Sequence, residues 1–382
     1  MFLTVISLAI IFCTATSNTI NLTLLQDKNA KCLDGSLSGY YYEPSSKVED
    51  GTKWAIYLQG GGECDNEAAC KYQLTTSLGS SKYFPPSYEG SSSWYLASGY
   101  CPYNPEFCGW NHVNVPYCSQ DLHTGQVTEA SNSTWGLYFA GHLILSAVLD
   151  ELAAKYNFNG ATEIILLGAS AGGIGVWPNV DYIKERVPKA RVTAATIAGF
   201  YFDATFYEGT NHTTNSLADF RAAAWPSTYE LYDAFVDQSC KAAFEAAGKH
   251  PGACMLSNNS YPFISADAFV VQAQTDQTVL TGHDQFPDEY KLLAEEQQFM
   301  DAFRFNMSVG LKPLMEPSRR SGVFSAACYI HGGFTHSYPL INGFSYQKAF
   351  ANFYFDTENK SPETYKLEDA CGLMCNPTCY AA

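Results

Sequence analysis

The residues most able to do chemistry lie in Gly168–Gly172. They read Gly-Ala-Ser-Ala-Gly and follow an apolar run that reads as a buried strand. A G-x-S-x-G pattern after a strand is typical of a sharp strand-to-helix turn that exposes the serine oxygen at the carboxyl end of a sheet. Small residues suit such a turn because its backbone is strained and crowded. Ser170 is therefore a candidate nucleophile, with a glycine-rich turn and a solvated serine as the alternative.

A serine nucleophile needs a base to take its proton and an acid to orient that base. In α/β hydrolases the three follow in the chain order serine, acid, histidine. The segment Phe269–Gln272 reads as a late strand, and Asp276 lies on the loop after it. Asp276 is the candidate acid, and a turn-initiating aspartate is the alternative interpretation.

Three histidines follow that acid. His331 comes directly after the predicted strand Val323–Cys328 and precedes two glycines, which favours a tight loop. His336 is five residues further on, and His283 follows Asp276 by only seven residues. Position after the last strand favours His331 as the base, while His336 and His283 stay open as alternatives.

A glycine-rich loop offers the backbone N–H groups that an oxyanion requires. Gly60–Gly62 follow the predicted strand Trp54–Gln59, and Ala171 comes directly after the candidate nucleophile. Glycine triplets also occur in ordinary loops, but a position after a strand favours the oxyanion hole.

Strands that alternate with helices must position these residues. Alternation of this kind predicts a mainly parallel sheet covered on both faces, the α/β-hydrolase-like class. Residues 75–110 and 200–265 show no clear period and are expected to form loop-rich excursions around the site. The predicted strands are Trp54–Gln59, Val113–Tyr117, Ile164–Leu167, Val192–Ile197, Ala268–Gln272 and Val323–Cys328. The predicted helices are Trp135–Tyr156, Ile174–Arg186 and Tyr290–Met307.

The chain has 382 residues, of which 46% are hydrophobic and 16% charged, as in a folded protein with a large core. Residues 1–17 resemble a cleaved secretory signal peptide, although no Lys or Arg precedes their apolar run. Residues 18–382 are expected to form one domain. No later segment is long and apolar enough to cross a membrane.

The cysteines indicate disulfides. Of 13 cysteines, Cys13 lies in the signal segment, and the even remainder is typical of an oxidising compartment. Cys64–Cys70 and Cys240–Cys254 are plausible local pairs. The Cys371, Cys375 and Cys379 run favours disulfides over a metal site, because no nearby histidine completes a ligand set. Loss of Cys64 or Cys328, which flank the candidate site, is expected to reduce activity more than loss of Cys379.

Glycosylation motifs and charge agree with secretion. Six N-x-S/T sequons occur, at Asn21, Asn132, Asn211, Asn258, Asn306 and Asn359. The net charge of −16 argues against nucleic acid and anionic membranes as partners. We expect an extracellular or lumenal protein that acts as a monomer on an ester substrate.

Several segments in fixed order resemble the pectin acetylesterase/Notum family of secreted carboxylesterases. The resemblance covers about residues 30 to 380. It implies that the nucleophile is Ser170, the acid Asp276 and the base His331, and that Gly61, Gly62 and Ala171 form the oxyanion hole. It implies no metal and no organic cofactor. The matching segments are Tyr57–Cys64, Val115–Asp121, Gly168–Gly173, Asn179–Asp181, Ala198–Asp203, Phe269–Gln272 with Asp276, Cys328–His331 and Cys375–Cys379.

Three departures from the family pattern concern the pocket. Gln59 stands where the family usually has Glu, Glu63 where an aromatic residue precedes the cysteine, and Ile197 where an acidic residue is frequent. The resemblance therefore implies a secreted serine carboxylesterase but leaves its substrate open.

The substrate prediction is O-acetyl groups on a pectin-like polysaccharide, released through an acyl-enzyme. The glycine triplet favours this activity over a Notum-like palmitoleoyl-protein deacylase, although Asn179–Asp181 is closer to Notum. A catalytically inactive glycan- or lipid-binding glycoprotein is the remoter alternative. The net charge of −16 would hinder binding of polygalacturonate unless a patch such as Lys312, Arg319 and Arg320 attracts it.

Overall fold

The core of the molecule is a ten-stranded sheet. The computed structural model describes residues 19–89, 95–214, 217–288, 292–317 and 320–379. The strands are β1 (Thr19–Leu24), β2 (Gly39–Glu43), β3 (Lys53–Leu58), β4 (Ser87–Glu89), β5 (Asn111–Val115), β6 (Glu163–Ala169), β7 (Arg191–Ile197), β8 (Asp267–Thr275), β9 (Ser321–Tyr329) and β10 (Lys366–Glu368). Their spatial order is β10-β9-β8-β7-β6-β3-β5-β2-β1-β4.

All pairings from β10 across to β5 are parallel, and β2, β1 and β4 extend the sheet with antiparallel pairings. Every predicted strand is present, within a few residues of its predicted ends. The antiparallel edge and β10 were not predicted, because these strands are short or lie in segments without a clear hydrophobic period. The predicted α/β-hydrolase-like class is confirmed.

Helices cover both faces of the sheet. They are α1 (Glu67–Gln73), α2 (Gly141–Tyr156), α3 (Ala171–Arg186), α4 (Trp225–Tyr232), α5 (Gln238–Ala246), α6 (Ser257–Ser260), α7 (Ala294–Met315) and α8 (Tyr346–Phe355). Strand side chains alternate between two hydrophobic cores: Ile164 and Leu166 of β6 pack into the core that contains α2, α3 and α7, and Ile165 and Leu167 into the one that contains α8.

The predicted helix Trp135–Tyr156 was too long at its start. Trp135 and Gly136 have φ angles of 54° and 80°, so the chain turns here and helix α2 begins only at Gly141. Helix α3 begins at Ala171, earlier than the predicted Ile174. The sequence did not predict this start because the first turn consists of small residues with no apolar period.

The predicted helix Tyr290–Met307 was shifted along the chain. Tyr290 lies outside the described residues, and α7 runs from Ala294 to Met315, past Gly310 and Pro313. Leu311 and Leu314 are fully buried. Their packing against the core outweighs the low helix propensity of Gly310 and Pro313.

Six disulfides use all twelve cysteines after Cys13: Cys32–Cys118, Cys64–Cys70, Cys101–Cys108, Cys240–Cys254, Cys328–Cys379 and Cys371–Cys375. Both predicted local pairs are present. Cys328 and Cys379 are two ends of one bridge, which removes the reason to expect that loss of Cys328 reduces activity more than loss of Cys379. None of the helices within the described ranges has the length and apolar character needed to cross a membrane.

Candidate active site

Ser170 lies on the turn between β6 and α3. Its φ and ψ angles are 55° and −126°, an unusual conformation for a residue with a side chain. The glycines of the motif are required by close packing. A Cβ on Gly168 would lie 2.1 Å from the carbonyl oxygen of Gly172, and one on Gly172 would lie 2.0 Å from that of Leu58. The G-x-S-x-G pattern therefore forms the strained turn that the sequence predicted.

Ser170, His331 and Asp276 form one hydrogen-bonded row. His331 Nε2 lies 2.8 Å from Ser170 Oγ, and His331 Nδ1 lies 2.8 Å and 3.0 Å from the two carboxylate oxygens of Asp276. These residues come from three different loops at the carboxyl edge of the sheet, after β6, β8 and β9. The fold therefore brings together three residues that the sequence predicted separately.

Asp276 is held by its own strand and by the turn that follows. Gln272 on β8 donates from Nε2 to Asp276 Oδ2 at 2.8 Å, and the Val279 N–H donates to Oδ1 at 3.1 Å. The oxygen of the Gln272 amide accepts from the Phe200 N–H at 3.0 Å, which fixes the orientation of the amide. The buried acid is thus aimed at His331. This role of Gln272 was not predicted, although an amide four residues before the acid on a buried strand is a usable signal.

The electrostatics favour a protonated imidazole at this position. Burial lowers the pKa of His331, but the neighbouring Asp276 carboxylate more than offsets burial, so the pKa lies above its usual value of 6.5. The acid therefore stabilises the charge that the histidine acquires when it accepts a proton.

The two alternative histidines lie elsewhere. The His283 ring is buried, with Nδ1 2.9 Å from the carbonyl oxygen of Ala218. His336 is exposed and stacks on Tyr103 with ring centroids 4.3 Å apart. Among the described contacts neither ring reaches Ser170, so the geometry favours His331.

The predicted oxyanion loop faces the serine. A Cβ on Gly60 would lie 2.3 Å from the carbonyl oxygen of Ala169 and 2.9 Å from Cβ of Ser170, so this glycine allows the loop to approach. Gly61 and Gly62 have φ angles of 155° and 72°. Within the described residues their N–H groups have no protein acceptor. With Ala171 at the start of α3, Gly61 and Gly62 therefore stay the predicted oxyanion donors.

Buried polar side chains hold this loop through its backbone carbonyl oxygens. His123 Nε2 lies 2.8 Å from the carbonyl oxygen of Gln59, and Gln120 Nε2 donates to that of Gly61 at 3.3 Å. Asn179 donates to the carbonyl oxygen of His123 at 3.0 Å and contacts His142 Nδ1 at 2.8 Å. Gln120 and Asn179 lie in segments that match the family, but their supporting role was not predicted from the sequence.

Glu63 is the most unusual departure. Its carboxyl group is buried and accepts from the Ala218 N–H at 3.2 Å, and His283 Nε2 lies 3.8 Å away. Burial raises the pKa of Glu63 to about 8 and lowers that of His283 to about 4. The two groups are therefore both uncharged at neutral pH, and the carboxyl group ties the oxyanion loop to the segment at Ala218.

A small cavity opens onto Ser170 and His331. Its volume is about 280 Å³, and Tyr57, Tyr95 and Ile197 contribute to its walls. Ile197 stands where the family frequently has an acidic residue, so this part of the wall is apolar.

The basic patch suggested by the sequence is remote from this cavity. Arg320 precedes β9, whereas His331 follows it, and a strand of nine residues spans about 30 Å. The guanidinium of Arg320 bonds to Asp267 and to the Asp356 carbonyl oxygen. Lys312 lies in the last turn of α7, and Arg319 is outside the described residues. For Arg320 the structure contradicts the suggestion that it draws an acidic substrate to the site.

A mainly parallel sheet with a serine on the strand-to-helix turn, hydrogen-bonded to a histidine and an acid on later loops, defines the α/β-hydrolase class. Sequence comparison narrows this class. The family model described as Pectinacetylesterase matches residues 13–380. The chain belongs to the pectinacetylesterase family, as the resemblance implied, and is a carboxylic ester hydrolase.

Both pectin acetylesterases and palmitoleoyl-protein carboxylesterases match nearly the whole chain. It is 28% identical to pectin acetylesterase 5 of Arabidopsis thaliana, over 94% of this chain and 83% of that protein. It is also 28% identical to palmitoleoyl-protein carboxylesterase notum1 of Xenopus laevis, over 94% of this chain and 74% of that protein. The crystal structure of the Wnt deacylase Notum from Drosophila superposes with a TM-score of 0.80 at 23% identity, over 95% of this chain and 99% of that one.

Proposed function

We propose that this enzyme removes O-acetyl groups from a pectin-like polysaccharide by a serine mechanism. The observation that carries the proposal is the row of hydrogen bonds that joins Ser170, His331 and Asp276, with both imidazole contacts at 2.8 Å. Such a row activates a serine for attack on an ester carbonyl.

In acylation Ser170 acts as the nucleophile, and His331 acts first as a base and then as an acid. Ser170 Oγ attacks the ester carbonyl carbon while His331 Nε2 takes the hydroxyl proton, and Asp276 stabilises the imidazolium. The N–H groups of Ala171, Gly61 and Gly62 bind the negative oxygen of the tetrahedral intermediate. When the intermediate collapses, His331 gives its proton to the sugar oxygen, and the sugar leaves. The acetyl group stays on Ser170.

Deacylation repeats these steps with water as the nucleophile. His331 takes a proton from the water as its oxygen attacks the acetyl carbon, and the same N–H groups bind the oxyanion. Collapse of the second intermediate returns the proton to Ser170 Oγ and releases acetic acid, which ionises in solution. The enzyme ends in its starting state.

The size of the cavity favours a short acyl group. At about 280 Å³ it is smaller than the typical range of roughly 300–1,000 Å³ for pockets that hold drug-sized ligands, and it must also admit the reacting carbonyl.

Secretion and glycosylation belong to the same proposal. Six disulfides agree with an oxidising compartment. The side chains of Asn21, Asn132, Asn211 and Asn306 are exposed, so we propose these four sequons as the glycosylated ones. The amide of Asn359 instead donates to the Pro317 carbonyl oxygen at 3.1 Å.

The nucleophile is tested by Ser170→Ala. We expect a folded, secreted protein whose turnover of p-nitrophenyl acetate falls by several orders of magnitude, because the nucleophile is lost. A fluorophosphonate probe should label the wild type and not the variant. Near-normal turnover by the variant would contradict the assignment of Ser170 as the nucleophile. No labelling of folded wild type would contradict the serine mechanism and favour a binding protein.

The acyl group is tested with p-nitrophenyl esters from acetate to octanoate, together with acetate release from acetylated pectin. We expect kcat/KM to fall beyond propionate. A lipid pocket would instead gain ~0.8 kcal/mol, or roughly fourfold, per buried methylene. A steady rise of kcat/KM to octanoate, with no acetate released from pectin, would contradict the acetylesterase proposal and favour a lipid deacylase.

A further inference from the structure

A second cavity adjoins the one at Ser170. Its volume is about 390 Å³, and it shares Tyr95 and Gly332 with the catalytic cavity. We call it the aromatic groove, after its ring-bearing lining residues: Tyr95, Tyr103, Phe334, His336, Tyr338 and Tyr346. Because Gly332 directly follows His331, a molecule in the groove lies next to the reacting ester.

The groove has an apolar floor and a polar rim. Phe334 and Tyr346 are buried, whereas Tyr103 is 48% exposed and stacks on His336 at the rim. In the part of the chain that the structure describes, no protein atom pairs with the hydroxyls of Tyr95, Tyr103 or Tyr338. Ring faces with free hydroxyls suit a ligand that has apolar faces and many hydroxyl groups.

A pyranose ring has this chemistry, whereas an acyl chain does not. The C–H faces of the sugar cover aromatic rings, and its hydroxyls can bond the tyrosines. An acyl chain would remove the same tyrosine hydroxyls from water without giving them a partner, which costs free energy.

The charge of the groove narrows the choice of sugar. Among the described residues, no Lys or Arg lines the groove or the catalytic cavity. The chain as a whole carries a net charge of −16. A free uronate carboxylate in the groove would lose water without gaining a cationic partner.

We propose that the aromatic groove binds an uncharged sugar ring beside the acetylated one. The enzyme then selects acetyl esters in methyl-esterified or otherwise neutral stretches over those flanked by free uronates. This inference rests on the proposed acetylesterase function and adds to it the charge state of the polysaccharide.

The test compares two substrates made from one batch of acetylated polygalacturonan. One portion is fully methyl-esterified, and the other is converted to the free acid without loss of acetyl groups. For the wild type we expect kcat/KM for acetate release to be at least about tenfold higher on the methyl ester. Tyr103→Arg places a cation at the rim and should narrow or reverse this preference. His336→Arg is a second variant at the same rim.

Val48→Arg is the matched control, because it adds the same charge at a side chain that is 99% exposed. Val48 precedes the amino-terminal end of β3, whereas the catalytic cavity lies beyond the carboxyl end of that strand. It should leave the preference unchanged. A preference for the free acid in the wild type overturns the groove proposal. It is also overturned if Val48→Arg shifts the preference as much as Tyr103→Arg, because overall charge then explains the selectivity.

Three further outcomes distinguish failure of this inference from failure of the serine esterase activity. If p-nitrophenyl acetate is hydrolysed through Ser170 but neither polymer releases acetate, the groove proposal and the pectin-like substrate both fail, and only the serine esterase activity stands. The same holds if activity rises to octanoate and Tyr103→Arg abolishes that rise, because the groove then holds the acyl chain. If wild type hydrolyses no ester at all, both proposals fail.

Discussion

Asp276 sets both the orientation and the basicity of His331. Its two oxygens lie 2.8 Å and 3.0 Å from His331 Nδ1, and its charge raises the pKa of the imidazole above 6.5. Catalysis needs the neutral imidazole, which is the form that accepts the serine proton. Activity should therefore rise with pH through the raised pKa of His331.

Asp276→Asn tests this coupling. We expect kcat/KM to fall by a factor on the order of 10⁴, because the amide no longer fixes the tautomer, as in other triads. The acid limb of the residual pH profile should also move to lower pH, because the carboxylate no longer raises the pKa of His331. A profile from pH 5 to 9 on p-nitrophenyl acetate measures both effects. An unchanged acid limb would show that another group controls it.

At this scale the sequence was informative because the catalytic roles depend on residue type and chain order. Ser170, Asp276 and His331 each follow a predicted strand, and the carboxyl ends of parallel strands meet at one edge. The supporting residues could not be found in this way. The contact between His123 and Gln59 depends on how the loop after β5 crosses the loop after β3, which no local pattern encodes.

At the scale of elements, the loop from Gly60 to Asp65 depends on the segment at Ala218. Glu63 accepts from the Ala218 N–H at 3.2 Å, and Asp65 accepts from the Asp219 N–H at 2.8 Å. Because burial raises the pKa of Glu63 to about 8, the folded protein holds a proton there that the unfolded chain loses near pH 4.5. The stabilising contribution of this group is therefore complete below pH 4.5 and is lost as pH rises to about 8.

Glu63→Gln isolates this contribution, because the amide keeps the acceptor and does not titrate. The free energy of unfolding of wild type, relative to the variant, should fall as pH rises from 4.5 to about 8 and then level off. Urea unfolding at several pH values measures the difference. Glu49→Gln, on the exposed surface, controls for the removal of one carboxyl group. A pH-independent difference for Glu63→Gln would show that the group is already ionised in the folded protein.

Strands were easier to predict than helix ends. A buried parallel strand is a short apolar run, and β6 and β7 match their predicted runs closely. Helix α2 starts late because of positive φ angles at Trp135 and Gly136, and α7 ends late because buried leucines hold its last turns. Both causes lie in tertiary packing, which the period of a sequence does not report.

At the scale of the whole molecule, the Cys328–Cys379 bridge ties the last described residues to the strand that carries the catalytic histidine. Cys328 lies on β9, three residues before His331, and its partner follows 51 residues later. Near the carboxyl end, the Cys371–Cys375 bridge closes only a four-residue separation and includes no residue of the sheet.

The losses of stability and activity caused by single Cys→Ser changes should therefore depend on which bridge is broken and not on the position of the cysteine in the chain. Loss of Cys328 or of Cys379 should lower the unfolding free energy and kcat/KM by equal amounts, with a stability loss of up to ~2–5 kcal/mol. Cys371→Ser should cost less, because its loop is short. Thermal unfolding and p-nitrophenyl acetate kinetics on the three variants check this. Unequal losses at Cys328 and Cys379 would contradict it.

The sheet order also determines when the enzyme can first act. Ser170 and His331 are separated by 161 residues, and the bridge that anchors β9 needs Cys379. A chain still emerging from the ribosome can form the central strands and present its nucleophile long before the base exists. Ester cleavage is thus postponed until synthesis has passed both His331 and Cys379. A transcript cut short before Cys379 would yield a protein with an unpaired thiol at Cys328 behind its catalytic histidine.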